Sequence, residues 1–177
     1  MKEVGYESSY AEDFRDISAA YLTLWDSAIL QQLRRLQDLT DPEGHTVDFV
    51  FLVISLHNFE RALRRHRDEL WRAIGTGKGS KYRRHAAECA DRALEVFDDR
   101  LPHIRDLRNI FSHLEEYAYG VGQLQRSRIP LSVKCGSSNI AVAEDPNVRF
   151  ELDLRAVKLA MDDIRECLIE IFAYFEP

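Results

Sequence analysis

The sequence is poor in the features that would mark several whole classes of protein. It has only three cysteines in 177 residues, Cys89, Cys135 and Cys167, and no Cys-x-x-Cys pair. An odd number at wide spacing argues against a disulfide framework or a zinc ribbon and fits a reduced, cytoplasmic protein. The longest apolar run, Phe49 to Ile54, is far too short to cross a bilayer, so no membrane association is expected. The stretch Met1 to Ser9 has no apolar signal core. There is no internal repeat and no low-complexity tail. What is there is ordinary for a globular domain: 45% hydrophobic and 31% charged residues exclude intrinsic disorder. A chain of this size buries about two-thirds of its unfolded surface and folds without disulfides or a structural metal.

Familiar metal and nucleotide patterns are missing too. No Glu is followed three residues later by His, as a di-iron bundle requires, and there is no His-Glu-x-x-His. His57-x-x-Glu60 and His85-x-x-Glu88 have the reverse order and are read as incidental, so no metal and no cofactor is expected. Gly75-Thr76-Gly77-Lys78-Gly79-Ser80 superficially resembles a phosphate loop, but Lys78 is followed by Gly79 and an Arg-rich helix precedes it where a strand should. It is a turn. Ser112 beside His113 is not a nucleophile pair, because helix neighbours point about 100° apart. Cys89 is expected to face the bundle as a small apolar residue, and Asp98-Asp99 and Asp162-Asp163 to be solvated.

Charge is unevenly placed. From Arg61 to His85, nine basic residues face only Asp68 and Glu69, so this stretch carries +7 in a chain of net charge −6, and the remainder carries −13. Such a reversal suits a surface for polyanions. Arg61, Arg64, Arg65, Lys81, Arg83 and Arg84 are the candidate nucleic-acid ligands. A solvated helix–turn–helix end accounts for the same residues equally well.

Apolar spacing predicts four main helical segments. The first, about Ser9 to Leu39, shows Phe14, Ile17, Tyr21, Leu24, Ile29, Leu33 and Leu36. The second, about Thr46 to Ile74, follows Asp41-Pro42, which suits an N-cap and a first-turn proline. Its Val50, Val53 and Ile54 would also suit a strand, but Leu52, Leu56, Phe59, Leu63 and Leu70 favour a buried helix. The third begins near Tyr82 and meets Pro102, which should kink or restart it. It resumes at Ile104, Leu107 and Phe111 and reaches Tyr117, with Gly120 and Gly122 as its stop. Residues 129–152 alternate in short runs and predict two or three antiparallel strands. The last helix, about Leu154 to Phe175, carries Val157, Met161, Ile164, Leu168 and Ile171, with Met161 as core. The expected fold is all-α: an up-and-down bundle of four to five helices in one domain, 1–177, with a small β-hairpin insertion at 129–152 before the last helix.

The stretch with chemistry in it is Arg105-Asp106-Leu107-Arg108-Asn109-Ile110-Phe111-Ser112-His113. On a helix Arg105, Asn109 and His113 share one ridge, with Arg108 on the next, about 140° from His113. These residue types suit metal-free RNA cleavage. Histidine exchanges a proton near neutral pH. Arginine binds a phosphate and stabilises developing charge. Asparagine orients a neighbour or a phosphate oxygen. RNA brings its own nucleophile, the 2′-hydroxyl. Arg105 and Arg108 could instead pair with Asp99, Asp106, Glu115 or Glu116, and His113 could cap a helix end.

Arg108-Asn109-Ile110-Phe111-Ser112-His113 resembles the Arg-polar-x3-His signature of the HEPN superfamily, as does its place late in a core helix of an all-helical bundle. The resemblance implies a dimer whose two signatures build one composite site, and a metal-independent endoribonuclease of the toxin or phage-defence kind. Arg108 would contact the scissile phosphate of the RNA substrate, Asn109 would be the polar residue beside it, and His113 would transfer the proton. Arg105 is added on geometry alone. Such proteins are often paired with a nucleotidyltransferase antitoxin. Other members are inactive, so a non-catalytic interaction module, or one that binds a nucleotide or nucleic acid, is the alternative. Tyr117 and Tyr119 would then stack bases, close a dimer seam or pack in the core.

Overall fold

The computed structural model describes residues 7–38, 42–78, 81–113, 132–144 and 147–173. Five α-helices are present among them: α1 (Glu7–Asp38), α2 (Pro42–Ala73), α3 (Lys81–Arg100), α4 (Ile104–Ser112) and α5 (Leu154–Ala173). A π-type turn, Ile74–Lys78, extends α2, and β1 (Ser132–Cys135), β2 (Asn139–Glu144) and β3 (Asn147–Asp153) precede α5. The chain therefore forms the expected helical bundle with a small sheet before the last helix. No described helix is long and apolar enough to cross a membrane. Asp41, Gly79, Ser80, Tyr117, Tyr119, Gly120, Gly122, Leu131 and Phe175, all assigned from sequence, lie outside the described residues.

Helix α2 is the centre of the bundle. Phe49, Leu52, Val53, Leu56, Phe59 and Leu63 are wholly buried. Their three- and four-residue steps make one helical stripe, which is why the β-branched residues here do not form a strand. Each such side chain contributes about 1.5–3 kcal/mol on burial. Phe59 stacks on Phe97 of α3 with ring centroids 6.5 Å apart. Ion pairs fix the antiparallel run of these two helices, Arg64 to Asp98 at 2.7 Å and Arg67 to Asp91 at 3.4 Å.

The inward face of α1 is the expected one at Ile29, Leu33 and Leu36 and differs from it at Ile17, Tyr21 and Leu24. Ile17, Tyr21 and Leu24 are each about half exposed, at 48%, 52% and 56%, while Ser18, Leu22, Ile29, Leu33 and Leu36 are buried. Two neighbouring ridges both carry apolar residues at helical spacing, and periodicity cannot say which of them meets α2.

Pro102 ends the α3 pattern as anticipated. Leu101 still closes a helical bond to the Phe97 carbonyl at 2.9 Å, and α4 restarts at Ile104. In α4, Ile104, Leu107 and Ile110 are buried. That stripe docks the helix on α2 and turns Arg105 and Arg108 outward.

The sheet is an antiparallel meander in the order β1-β2-β3, with a bulge between Val142 and Ala143. Ile140, Val142 and Leu152 reach the main core. The Asp153 carboxylate accepts the Ala156 N–H at 2.9 Å, which caps the start of α5. On α5, Val157, Met161, Ile164, Leu168 and Ile171 are buried, and Met161 is core as expected. The aspartates expected to be solvated are mostly paired: Asp98 with Arg64, Asp162 with Arg165 and Asp163 with Arg100.

Candidate functional site

Helix α4 runs antiparallel to α2, with Arg105 against Glu60 and, one turn on, Arg108 acting on His57. Glu60 is 1% exposed. Its carboxylate accepts bonds from Arg105 Nε at 3.1 Å, Arg105 Nη2 at 2.5 Å and Arg64 Nε at 2.7 Å. Burial works to raise this carboxyl, but the bonds and charges of Arg105 and Arg64 outweigh it and hold it below the usual range. Arg64 is further tied to both oxygens of Asp98 at 2.7 Å. Arg105 and Arg64 are thus committed to structural pairs.

Arg108 and Arg61 are different. Both are exposed, and among the described residues neither forms an ion pair or hydrogen bond. Both bear on His57, whose Nδ1 is buried without a hydrogen-bond partner, 3.8 Å from Glu60 Oε2. Burial lowers the His57 pKa, Glu60 works to raise it, and Arg108, Arg61 and Arg105 lower it further. The net result is an imidazole held neutral between unpaired guanidiniums. Sequence reasoning passed over His57 and Glu60. Their i, i+3 spacing was visible, but nothing local showed that α4 would lay Arg105 and Arg108 across them.

His113 is exposed and ends α4 as its C-cap, with φ −128° and ψ 38°. Its N–H donates to the carbonyls of Asn109 at 3.2 Å and Ile110 at 3.1 Å. The φ angle departs from the helical value by roughly 65°, so the regular helix ends at this residue. Asn109 is partly buried. The signature residues therefore lie on one short helix, with Arg108 presented to solvent and His113 at the helix end.

The wider basic stretch does not converge. Arg65 pairs with Glu69 at 3.1 Å. Lys81, Arg83 and Arg84 open α3 beyond the Ile74–Lys78 turn, and about 20 Å of helix separates that turn from Arg61. Arg61, like Arg108, acts on His57, whereas the α3 cations lie at the far end of α2. A cavity of about 210 Å³ lies where Pro102 and His103 face Glu151 and Asp153 of β3, and neither Arg108 nor His113 lines it. The described residues close enough together to hold a metal ion are His85, Cys89 and Glu170, on α3 and α5. None of them belongs to the α2–α4 set.

No family model, no curated protein and no solved structure matches the chain.

Proposed function

We propose that the chain is a metal-independent endoribonuclease of the HEPN kind that acts as a homodimer, with Arg108, Asn109 and His113 as its reacting set. The observation that carries this reading is the pairing pattern on α4: a buried carboxylate takes up Arg105, whereas Arg108, the signature arginine, is exposed and unpaired among the described residues. An unpaired guanidinium favours a phosphate.

In the proposed reaction Arg108 binds a non-bridging oxygen of the scissile phosphate. The 2′-hydroxyl gives its proton to an imidazole, the 2′-oxygen bonds to phosphorus, and the bond to the 5′-oxygen breaks. That oxygen leaves with a proton from a second imidazole, giving a 2′,3′-cyclic phosphate and a 5′-hydroxyl. His113 of each copy supplies one imidazole. The homodimer is supported by the apolar stripe of Ile17, Tyr21 and Leu24, which a second copy would cover.

The test is incubation with end-labelled single-stranded and structured RNA in EDTA, below the melting temperature of the chelated protein. Cyclic-phosphate ends are expected from the wild type and about a hundredfold fewer from Arg108→Ala or His113→Ala. RNA binding without cleavage by the wild type would favour the non-catalytic module instead.

A further inference from the structure

His85, Cys89 and Glu170 come together from two helices, with no local pattern to announce it. His85 and Cys89 are one turn apart on α3 and share a helix face, and Glu170 meets them from α5. Cys89 Sγ lies 3.5 Å from His85 Nε2 and 3.4 Å from Glu170 Oε2, and His85 Nε2 lies 3.2 Å from Glu170 Oε2.

We propose that His85, Cys89 and Glu170 form a zinc-class divalent-cation site that clips α3 to α5, with a water completing the coordination.

The triangle has the right size. Zinc–ligand bonds of about 2.3 Å to sulfur and 2.0–2.2 Å to nitrogen or oxygen, at tetrahedral angles, put the ligand atoms about 3.4–3.6 Å apart. The three observed edges match this to within about 0.2 Å, the tolerance expected of a real site. A water takes the fourth corner.

Charge points the same way. Arg92 Nη2 donates to Cys89 Sγ at 3.1 Å and to Glu170 Oε2 at 2.9 Å. One guanidinium thus faces the sulfur and the carboxylate, where a cation is favoured. Arg92 is half exposed and can swing outward when the ion enters. One thiolate and one carboxylate then neutralise a bound dication. A plain Arg92–Glu170 surface pair accounts for neither the imidazole nor the sulfur. Sulfur and imidazole donors select zinc over magnesium or calcium. Cys89 is fully buried, while His85 and Glu170 are partly open to solvent and give the ion a way in.

The site is independent of the nuclease reading. Its test uses the full chain, stripped with chelator, desalted and titrated with zinc against a chromophoric indicator. Cobalt titration supplies the spectroscopic readout. One ion per chain, a raised thermal midpoint, and a sulfur-to-cobalt charge-transfer band with tetrahedral d–d bands are expected. His85→Gln and Glu170→Gln, which change partly exposed side chains and leave the core alone, should each weaken zinc about tenfold or more. Cys89→Ser should abolish the charge-transfer band. No stoichiometric uptake by the wild type, a cobalt complex without the sulfur band, or His85→Gln and Glu170→Gln chains that bind like the wild type would each overturn the proposal.

Discussion

Glu60 and Arg105, forty-five residues apart, are joined across α2 and α4 by bonds of 3.1 Å from Nε and 2.5 Å from Nη2. Glu60 is almost wholly buried while the Arg105 side chain is 63% exposed, so the carboxylate depends on the pair more than the guanidinium does. The bond fixes the register of α4 on α2 and so sets where Arg108 stands. Arg105, named on ridge geometry as a phosphate ligand, is the partner of a buried carboxylate in this structure.

Arg105→Ala and Arg108→Ala should therefore part company. Arg105→Ala lowers stability by about 1 kcal/mol, kept small because its guanidinium is largely in water and Arg64 still holds Glu60. Arg108→Ala changes stability by no more than about 0.5 kcal/mol but lowers RNA cleavage about a hundredfold. Urea denaturation and initial cleavage rates, measured on the same preparations, separate the two effects.

Glu60→Gln keeps the shape but removes the charge from both arginine bonds, and should cost about 1–3 kcal/mol at neutral pH. The Glu60 carboxyl lies below its ordinary value of 4.5 in the fold, so the unfolded chain takes up the proton first. Its contribution is complete above that ordinary value and is lost as pH falls through the folded value. The gap between wild type and Glu60→Gln should close in acid, as followed by denaturation midpoints.

His66 is buried on α2, with Nδ1 2.7 Å from the Ser18 hydroxyl of α1. Burial lowers its pKa from 6.5, against a smaller raising effect of Glu69. The unfolded chain binds this proton at higher pH than the folded one, so stability is complete above 6.5 and declines as pH drops below it. A thermal-midpoint series in acid should show the decline, and His66→Gln should flatten it. Some slope will persist, because His57 is shifted in the same direction.

Two glycines at the end of α2 should respond oppositely to alanine. Gly77 has φ +75°, where a Cβ is strained, and Gly77→Ala should lose about 1 kcal/mol. Gly75 has ordinary φ and open space around its Cβ position, so Gly75→Ala should be neutral or gain about 0.4–1 kcal/mol. Thermal melts of the two variants check the contrast.

The helices were readable in advance because each carries an apolar stripe at helical spacing, and the break at Pro102 because proline lacks the N–H. Strand β2 was harder: Ile140-Ala141-Val142-Ala143 is buried on both faces and shows no alternation. The exposure of Ile17, Tyr21 and Leu24 was invisible for the opposite reason, since two ridges of α1 fit the same period.

By itself, the order of residues determined the bundle, the place of the small sheet, and the presence of Arg108, Asn109 and His113 on one short helix, because periodicity, proline and spacing act within a few turns. Only the tertiary structure decided that Glu60 takes Arg105 and leaves Arg108 unpaired among the described residues, or that Cys89 meets Glu170 from eighty-one residues away. Ion pairs and ligand clusters form between helices, and which faces meet is settled by how the whole core packs.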